Sequence, residues 1–201
     1  MVRVGLTGNI STGKSTVGRM FVELGAHLID SDLIVRELFL PGHPVNRAVA
    51  QAFGERVVAP DGSINRVVLG EIIFNDPAAR LLLNSLVHPT VIQTQKDWMD
   101  RLEASDPNAV GIVEAALMIE SGSYRNYDKL IVVVCSPAVQ KQRLKERSGL
   151  TDEQAETRIA SQMPMQEKAK HADFVIDNSG SLEETRRQVA EITRTLDRTR
   201  A

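Results

Sequence analysis

The N-terminal segment "GLTGNISTGKSTV" combines residue types that bind phosphate. Residues 8–15, G-N-I-S-T-G-K-S, match the pattern G-x-x-x-x-G-K-[ST]. Gly8 and Gly13 permit a curled backbone whose N–H groups point at phosphate oxygens. Lys14 supplies an ammonium for the β- and γ-phosphates, and Ser15 supplies a hydroxyl suited to Mg²⁺. The predicted nucleotide contacts are Gly8, Ser11, Thr12, Gly13, Lys14, Ser15 and Thr16.

A glycine-rich turn that matches this pattern by chance is the alternative. The apolar run before Gly8 predicts a strand, and the spacing of Val17, Met20, Phe21 and Leu24 predicts a helix after the loop. Because a phosphate loop requires this strand-loop-helix context, the sequence favours a site for a nucleoside triphosphate with magnesium.

Two aspartates follow the next predicted strand in "LIDSDLIVREL". Open parallel sheets bind ligands at the carboxyl ends of their strands, so Asp30 and Asp32 are expected to face the same crevice as the loop. Asp32 is the candidate base for an acceptor hydroxyl, and Asp30 is a candidate for orienting the metal or its waters. Capping of the following helix is the alternative for either residue. Arg36 can pair with Asp32 or reach a substrate phosphate.

Glu114 lies within the apolar run "GIVEAAL". An ionised carboxylate in a buried strand is costly without a partner. Two interpretations remain open: a position around the metal, as for a Walker B acid, or a structural hydrogen bond.

Residues 137–166 form a helical segment rich in basic side chains. Arg143 and Arg147 are one helical turn apart and share a face. Paired arginines can close over a triphosphate and neutralise charge in the transition state, whereas a solvated surface is the alternative. The remaining basic residues here are Lys141, Lys145 and Arg158, and Gln162 and Lys168 are weaker candidates for phosphate contacts.

The elements that must position these residues belong to an α/β fold. Apolar runs predict strands at 2–8, 26–30, 109–117, 129–135 and 173–178. They are continuous rather than alternating, as expected for parallel strands covered on both faces. The interval 33–106 contains helical patterns and no convincing strand, so it is expected to cover a ligand or a partner. Capping boxes are predicted at Thr151–Gln154 and Ser181–Glu184.

Composition narrows the class of protein. The chain has 201 residues, 42% hydrophobic and 25% charged, and shows no linker that would divide it, so we expect a single domain. Its net charge of −2 gives no electrostatic reason to bind nucleic acid or an anionic membrane. We expect a cytoplasmic protein, because no signal peptide or membrane span is evident and Cys135 is the only cysteine.

Cys135 ends the apolar run "LIVVVC" and is interpreted as a buried structural thiol. His27, His43 and His171 are interpreted as ordinary residues.

The motifs together resemble the dephospho-CoA kinases, in order and over nearly the whole chain. The segments that carry the resemblance are "GLTGNISTGKSTV", "IDSDLIVREL", "PGHPV", "LVHP", "IESG", "QRLKERSGLT", "ASQ" and "ADFVIDNSGSLEET". The resemblance implies a P-loop fold of the nucleoside monophosphate kinase type, with a five-stranded parallel sheet flanked by helices. It further implies a core at 1–32, 107–136 and 172–201, a helical substrate-binding insertion at 33–106 and a lid at 137–171.

The resemblance also implies a reaction. ATP would phosphorylate the ribose 3′-hydroxyl of dephospho-CoA, giving coenzyme A and ADP. Asp32 falls on the presumed base of the family, Arg143 on the lid arginine that faces the phosphates, and Asn178 where the core approaches adenine. His88 falls on the insertion that receives the CoA precursor, although its residue type and the following Pro89 indicate only a helix boundary. The substrate-binding residues implied are Asp30, Asp32, Arg36 and His88.

One departure from the family pattern is visible. Ala116 occupies the position of a proline that commonly follows the acidic residue represented here by Glu114, which leaves the loop geometry at this strand exit open. The alternative activity is that of another small-molecule kinase of the nucleoside monophosphate type. A nucleotide-gated switch belongs to a different class, and the chain lacks the Asn-Lys-x-Asp motif with which GTP switches read guanine.

Overall fold

The computed structural model describes residues 1–198. The strands are β1 (Val2–Gly8), β2 (His27–Asp30), β3 (Val110–Glu114), β4 (Lys129–Val134) and β5 (Phe174–Asp177). The helices are α1 (Lys14–Glu23), α2 (Ser31–Leu38), α3 (Pro44–Phe53), α4 (Arg66–Asn75), α5 (Pro77–Ser105), α6 (Pro137–Ser148), α7 (Asp152–Ala160), α8 (Met165–Ala169) and α9 (Leu182–Arg198). Short 3₁₀ helices lie at Glu55–Val57 and Ser123–Asn126.

The strands form one five-stranded sheet in the order β2-β3-β1-β4-β5. The central strand β1 pairs in parallel with β3 and β4, and β4 pairs in parallel with β5. The predicted parallel α/β sheet is therefore confirmed. The register places Leu6 opposite Glu114 and Gly8 opposite Val133, so the end of β1 lies beside the ends of both neighbours. The predicted strand 109–117 is too long, because β3 ends at Glu114 and the following residues enter turns.

The first of two compact units contains residues 1–29 and, within the described chain, residues 101–198. Its core is formed by the fully buried side chains of Val4, Leu6, Ile112 and Ile131 in the strands. Helices α1 and α9 contribute further buried apolar residues to the same core. These residues in α9 are the predicted stripe of Val189, Ile192 and Leu196.

The second unit contains residues 30–100 and is helical. Its helices begin at side-chain caps, with His43 Nδ1 accepting from the Val45 N–H at 3.1 Å at the start of α3. No strand was expected between 33 and 106, and only an isolated bridge joins Val58 and Ile64 among the described residues of this interval. The helix boundary indicated at His88 is wrong, because α5 continues through Pro89 without a break.

Both predicted capping boxes are present. Thr151 and Gln154 exchange hydrogen bonds at the start of α7, and Ser181 and Glu184 do so at the start of α9. Over residues 1–198, no helix combines the length and apolar character needed to cross a bilayer.

Candidate active site

The phosphate loop lies between the end of β1 at Gly8 and the start of α1 at Lys14. A Cβ added to Gly8 would lie 2.4 Å from the Val133 carbonyl oxygen, so the close approach of β4 requires glycine there. Gly13 has a φ of 92°, and a Cβ on it would lie 2.1 Å from Asn178 Nδ2. Ser11 also adopts a left-handed backbone conformation, with a φ of 59°. The loop is therefore tightly curled, and β4 and Asn178 pack closely against its two glycines.

Lys14, Ser15 and Thr16 open helix α1 directly after this curl. The N-terminus of a helix carries about half a positive charge and exposes backbone N–H groups, both of which favour phosphate. Lys14 Nζ lies 3.4 Å from the Asn9 carbonyl oxygen, so the ammonium folds back along the loop. The Thr16 N–H donates to the Gly13 carbonyl at 3.0 Å.

Ser15 is joined to Glu114 by a short hydrogen bond. Its Oγ donates to Glu114 Oε1 at 2.7 Å, and Glu114 is only 5% exposed. Because the carboxylate accepts the hydroxyl hydrogen, the lone pairs of Ser15 Oγ are directed elsewhere, as a metal ligand requires. The bond satisfies the structural interpretation of Glu114, and it equally fits a carboxylate that supports a magnesium site. The hydroxyl and carboxylate oxygens of Ser15 and Glu114 are of the kind that suits Mg²⁺. Within residues 1–198, no group of three His, Cys, Asp or Glu side chains could hold a metal ion.

Three buried side-chain atoms among the described residues have no hydrogen-bond partner. They are Asn9 Oδ1, Ser11 Oγ and Arg143 Nη1. The first two belong to the phosphate loop, and Arg143 Nη1 lies 3.8 Å from the position that a Cβ on Gly13 would occupy. Each unsatisfied buried group costs about 1–3 kcal/mol. The Ser11 hydroxyl in the loop and the Arg143 guanidinium beside it are thus donors without a protein acceptor, as expected where an anionic ligand binds.

The two predicted acidic residues differ in their local roles. Asp30 Oδ1 accepts from the Asp32 N–H at 2.8 Å and caps α2, so the capping alternative describes the contact that Asp30 makes. Asp32 is in the first turn of α2 and is exposed, and Arg36 is exposed one turn later. His88 is partly buried in α5, and this burial lowers its pKa.

A family model described as dephospho-CoA kinase matches residues 2–184. The chain belongs to the dephospho-CoA kinase family. The dephospho-CoA kinase of Geobacter metallireducens is 45% identical over 189 residues, which cover 94% of each chain. A structure titled dephospho-CoA kinase from Campylobacter jejuni superimposes with a TM-score of 0.73 at 28% identity, over 99% of this chain and 98% of the other. The structure of TT1252 from Thermus thermophilus gives a TM-score of 0.81 at 30% identity, over 97% of each chain.

In this dephospho-CoA kinase family member, Asn178 supports the phosphate loop directly. It is 3% exposed, its Nδ2 donates to the Thr12 carbonyl at 2.8 Å, and its Oδ1 accepts from Thr185 Oγ1 at 2.9 Å. The adenine contact inferred from the resemblance stays a prediction. Sequence reasoning missed the support role, for which the only local signal is a polar residue at the end of the apolar run "ADFVIDN".

Two glutamines, in α6 and after α7, support the same loop. Gln140 Nε2 donates to the Ile10 carbonyl at 2.8 Å, and the Ile10 N–H donates to Gln162 Oε1 at 2.7 Å. Gln140 was not predicted, and Gln162 was a weak candidate for a phosphate contact. The structure instead places its side-chain oxygen on the loop backbone.

The basic residues of α6 and α7 differ in their contacts. Lys141 of α6 pairs with Glu156 and Asp152 of α7, and its hydrogen bonds to these carboxylates raise its pKa. Hydrogen bonds from Lys145 and Lys141 in turn lower the pKa of Asp152. Lys145 also pairs with Asp152, so both lysines fit the surface alternative. Arg147 and Arg158 are exposed. Among the basic side chains of α6, Arg143 is therefore the one aimed at the phosphate loop.

Cys135 is buried and unpaired, as the sequence predicts for a structural thiol. Burial raises the pKa of this thiol, opposed by the nearby Arg143 guanidinium. The cysteine therefore has the character of a core residue rather than of a nucleophile.

Proposed function

We propose that this member of the family transfers the γ-phosphoryl group of ATP to the ribose 3′-hydroxyl of dephospho-CoA. The products are coenzyme A and ADP, so the reaction is the last step of coenzyme A biosynthesis. The match of residues 2–184 to the dephospho-CoA kinase family carries the proposal. That range includes the phosphate loop, both aspartates and Arg143.

The donor side of the proposed reaction uses fixed charge and fixed N–H groups. We assign the β- and γ-phosphates to the loop amides and Lys14, and the developing charge on the transferred group to Arg143. Phosphoryl transfer has a loose transition state, so positioning and charge stabilisation contribute more than covalent chemistry. The unpartnered Arg143 Nη1 and Ser11 Oγ support this assignment, because a phosphate would supply the acceptors that they lack.

We propose Ser15 as the protein ligand of magnesium. Its hydrogen bond to Glu114 supports this role, because the carboxylate fixes the hydroxyl and leaves its lone pairs available. Bound Mg²⁺ would neutralise charge on the β- and γ-phosphate oxygens. The role of Asp30 near the metal or its waters stays a prediction, since its observed contact is the cap of α2.

On the acceptor side, we assign Asp32 as the residue that accepts the proton of the 3′-hydroxyl. The cap formed by Asp30 supports the assignment, because it fixes the backbone of Asp32 at the start of α2. Arg36 and His88 are proposed to contact the substrate. An exposed cation such as Arg36 suits a phosphate of dephospho-CoA.

A steady-state assay of ADP release tests the function. The purified protein should release ADP with ATP and dephospho-CoA, and much less with AMP, GMP or CMP as acceptor. Preferential turnover of a nucleoside monophosphate would contradict the assignment, and ADP release without any acceptor would indicate a nucleotide switch. Asp32→Asn should lower turnover by about 10²–10⁴-fold if Asp32 transfers the proton. A folded Asp32→Asn protein with full activity would remove Asp32 from the mechanism.

We also propose a cytoplasmic location. The chain has one cysteine and therefore cannot form an internal disulfide, which suits a reducing compartment.

A further inference from the structure

Residues 162–168, here called the return segment, lead from the end of α7 back toward β5. They make side-chain and backbone contacts with two different loops of the first unit. At one end, Gln162 and Met163 contact the phosphate loop. At the other end, Lys168 contacts the residues that follow β3. One short segment therefore holds two loops that leave adjacent strands of the sheet.

The contact with the phosphate loop fixes the two peptide groups that flank the Cα of Ile10. The Ile10 N–H donates to Gln162 Oε1 at 2.7 Å, and the Ile10 carbonyl accepts from Gln140 Nε2 at 2.8 Å. The preceding residue is held too, because Asn9 Nδ2 donates to the Met163 carbonyl at 3.0 Å. The direction of the N–H groups that follow Ile10 depends on how these two peptide groups are oriented. Gln162 is thus bonded to the loop backbone rather than placed to contact a ligand.

The contact with the loop after β3 is made by a buried ammonium. Lys168 is 0% exposed, and its Nζ donates to the Ala116 carbonyl at 2.8 Å and pairs with Glu120 at 2.9 Å. Thr7 Oγ1 donates to the same Ala116 carbonyl at 3.2 Å. A buried charge is retained only where it is paired and hydrogen-bonded, as Lys168 is. These two bonds fix the backbone at Ala116, the position at which the resemblance to the family implies a proline, whose ring would restrict the backbone instead.

Sheet order indicates what each loop serves. Strand β3 lies between β1 and β2, so the residues that leave β3 begin beside the phosphate loop that leaves β1. Ligands of an open parallel sheet bind at the carboxyl ends of its strands, and the acceptor hydroxyl must lie next to the γ-phosphate. The loop after β3, which leaves the sheet beside the phosphate loop, therefore borders the acceptor side of the proposed reaction.

We propose that Gln162 and Lys168 are two positioning residues of the return segment that serve different substrates. Gln162 orients the loop that binds ATP, and Lys168 orients the loop that borders dephospho-CoA. The assignment rests on the proposed function, and neither residue touches the reacting atoms. It predicts separate effects on the two KM values, which a general loss of stability would not produce.

The test measures both KM values for Gln162→Met and Lys168→Met. Gln162→Met should raise the KM for ATP by about 3- to 10-fold, the loss expected for one hydrogen bond, and leave that for dephospho-CoA unchanged. Lys168→Met should raise the KM for dephospho-CoA by about 10-fold and leave that for ATP unchanged. The matched controls are Gln166→Met and Lys170→Met, which replace exposed residues of α8 and its end and should change neither value.

A milder substitution covers the case in which Lys168→Met fails to fold. Glu120→Gln keeps an acceptor for Lys168 but removes the charge, so it should raise the same KM by a smaller factor. In the double variant Lys168→Met/Glu120→Gln, the thermal unfolding temperature should partly recover because no charge is left unpaired, while the KM for dephospho-CoA stays high. Recovery of both together would mean that Lys168 acts only on stability and would overturn its assignment.

Direct binding of ADP separates failure of this inference from failure of the proposed function. Gln162→Met should weaken ADP binding by about the same 3- to 10-fold whatever the acceptor proves to be. Unchanged ADP affinity in a folded Gln162→Met protein, or equal shifts of both KM values in each variant, would refute the division of roles. If the wild-type protein binds ADP but does not phosphorylate dephospho-CoA, the proposed function and the Lys168 assignment fail, and the Gln162 assignment is still decided by ADP binding.

Discussion

Replacement of Asn178 by alanine is the sharpest test of how the phosphate loop is held. The Asn178 amide links two buried groups, the Thr12 carbonyl and Thr185 Oγ1, and packs against Gly13. In Asn178→Ala, Thr185 retains its bond to the Ser181 carbonyl at 3.2 Å, whereas the Thr12 carbonyl loses the Asn178 donor. The loss therefore falls mainly on the loop.

The size of the effect follows from burial. Thr12 is 0% exposed, so leaving its carbonyl without the amide costs about 1–3 kcal/mol. The space vacated by the side chain adds about 1 kcal/mol, so we expect the free energy of unfolding to fall by about 2–4 kcal/mol. A loop that samples other conformations should also bind phosphate about 10-fold more weakly, equivalent to about 1.4 kcal/mol.

Comparison of two ligands distinguishes loop support from an adenine contact. If Asn178 acts through the loop, Asn178→Ala should weaken the binding of ATP and of inorganic tripolyphosphate by the same factor, as measured by titration calorimetry. If Asn178 contacts adenine, only ATP should lose affinity. Asn126→Ala, at an exposed asparagine of the 3₁₀ helix Ser123–Asn126, is the control for stability. Full stability together with a loss confined to ATP would refute the loop-support interpretation.

Three further predictions concern the same unit. Glu114→Gln, which keeps an acceptor for Ser15 but removes the charge, should raise the Mg²⁺ concentration for half-maximal activity by about 10-fold, and an unchanged Mg²⁺ titration would contradict the role. Gly8→Ala should lower the free energy of unfolding by about 1–3 kcal/mol in chemical denaturation, because its Cβ would meet the Val133 carbonyl; Gly70→Ala, with open space around it, is the control. Burial raises the pKa of Tyr127 to about 12, so its contribution to stability is full below about pH 10 and is lost as pH rises toward 12; phenolate absorbance should show one tyrosine titrating late in the folded protein.

The parts of the fold that were predictable are those specified by neighbouring residues. The phosphate loop, the strands and the capping boxes at Thr151 and Ser181 each depend on residue types within a few positions of one another. Helix α5 shows the limit of such rules. A proline in a helix interior removes a hydrogen bond and clashes with the preceding turn, at a cost of about 3 kcal/mol. The continuous α5 around Pro89, with Val87 and Val91 buried, indicates that tertiary packing offsets this local cost.

The supports of the site could not be predicted, because their partners are far apart in the sequence. Asn178 lies 166 positions from Thr12, and Gln162 lies 152 positions from Ile10. A side-chain amide bonded to a distant backbone group leaves no periodicity and no spacing for sequence reasoning to detect. The end of β3 was also unpredictable, because the apolar residues in "EAAL" give no sign that the strand ends at Glu114.

The unpartnered atoms of the loop and of Arg143 connect stability with binding. Burial of Asn9 Oδ1, Ser11 Oγ and Arg143 Nη1 without hydrogen-bond partners lowers the stability of the folded protein. A protein partner for each atom would remove this cost. The loss of stability at the phosphate loop is explained if a ligand supplies the missing hydrogen-bond partners when it binds. Two of the three atoms, Ser11 Oγ and Arg143 Nη1, are donors beside a helix N-terminus, so their missing partners are acceptors, which an anion provides best. The features that make the free loop less stable thus select a phosphate over a neutral ligand.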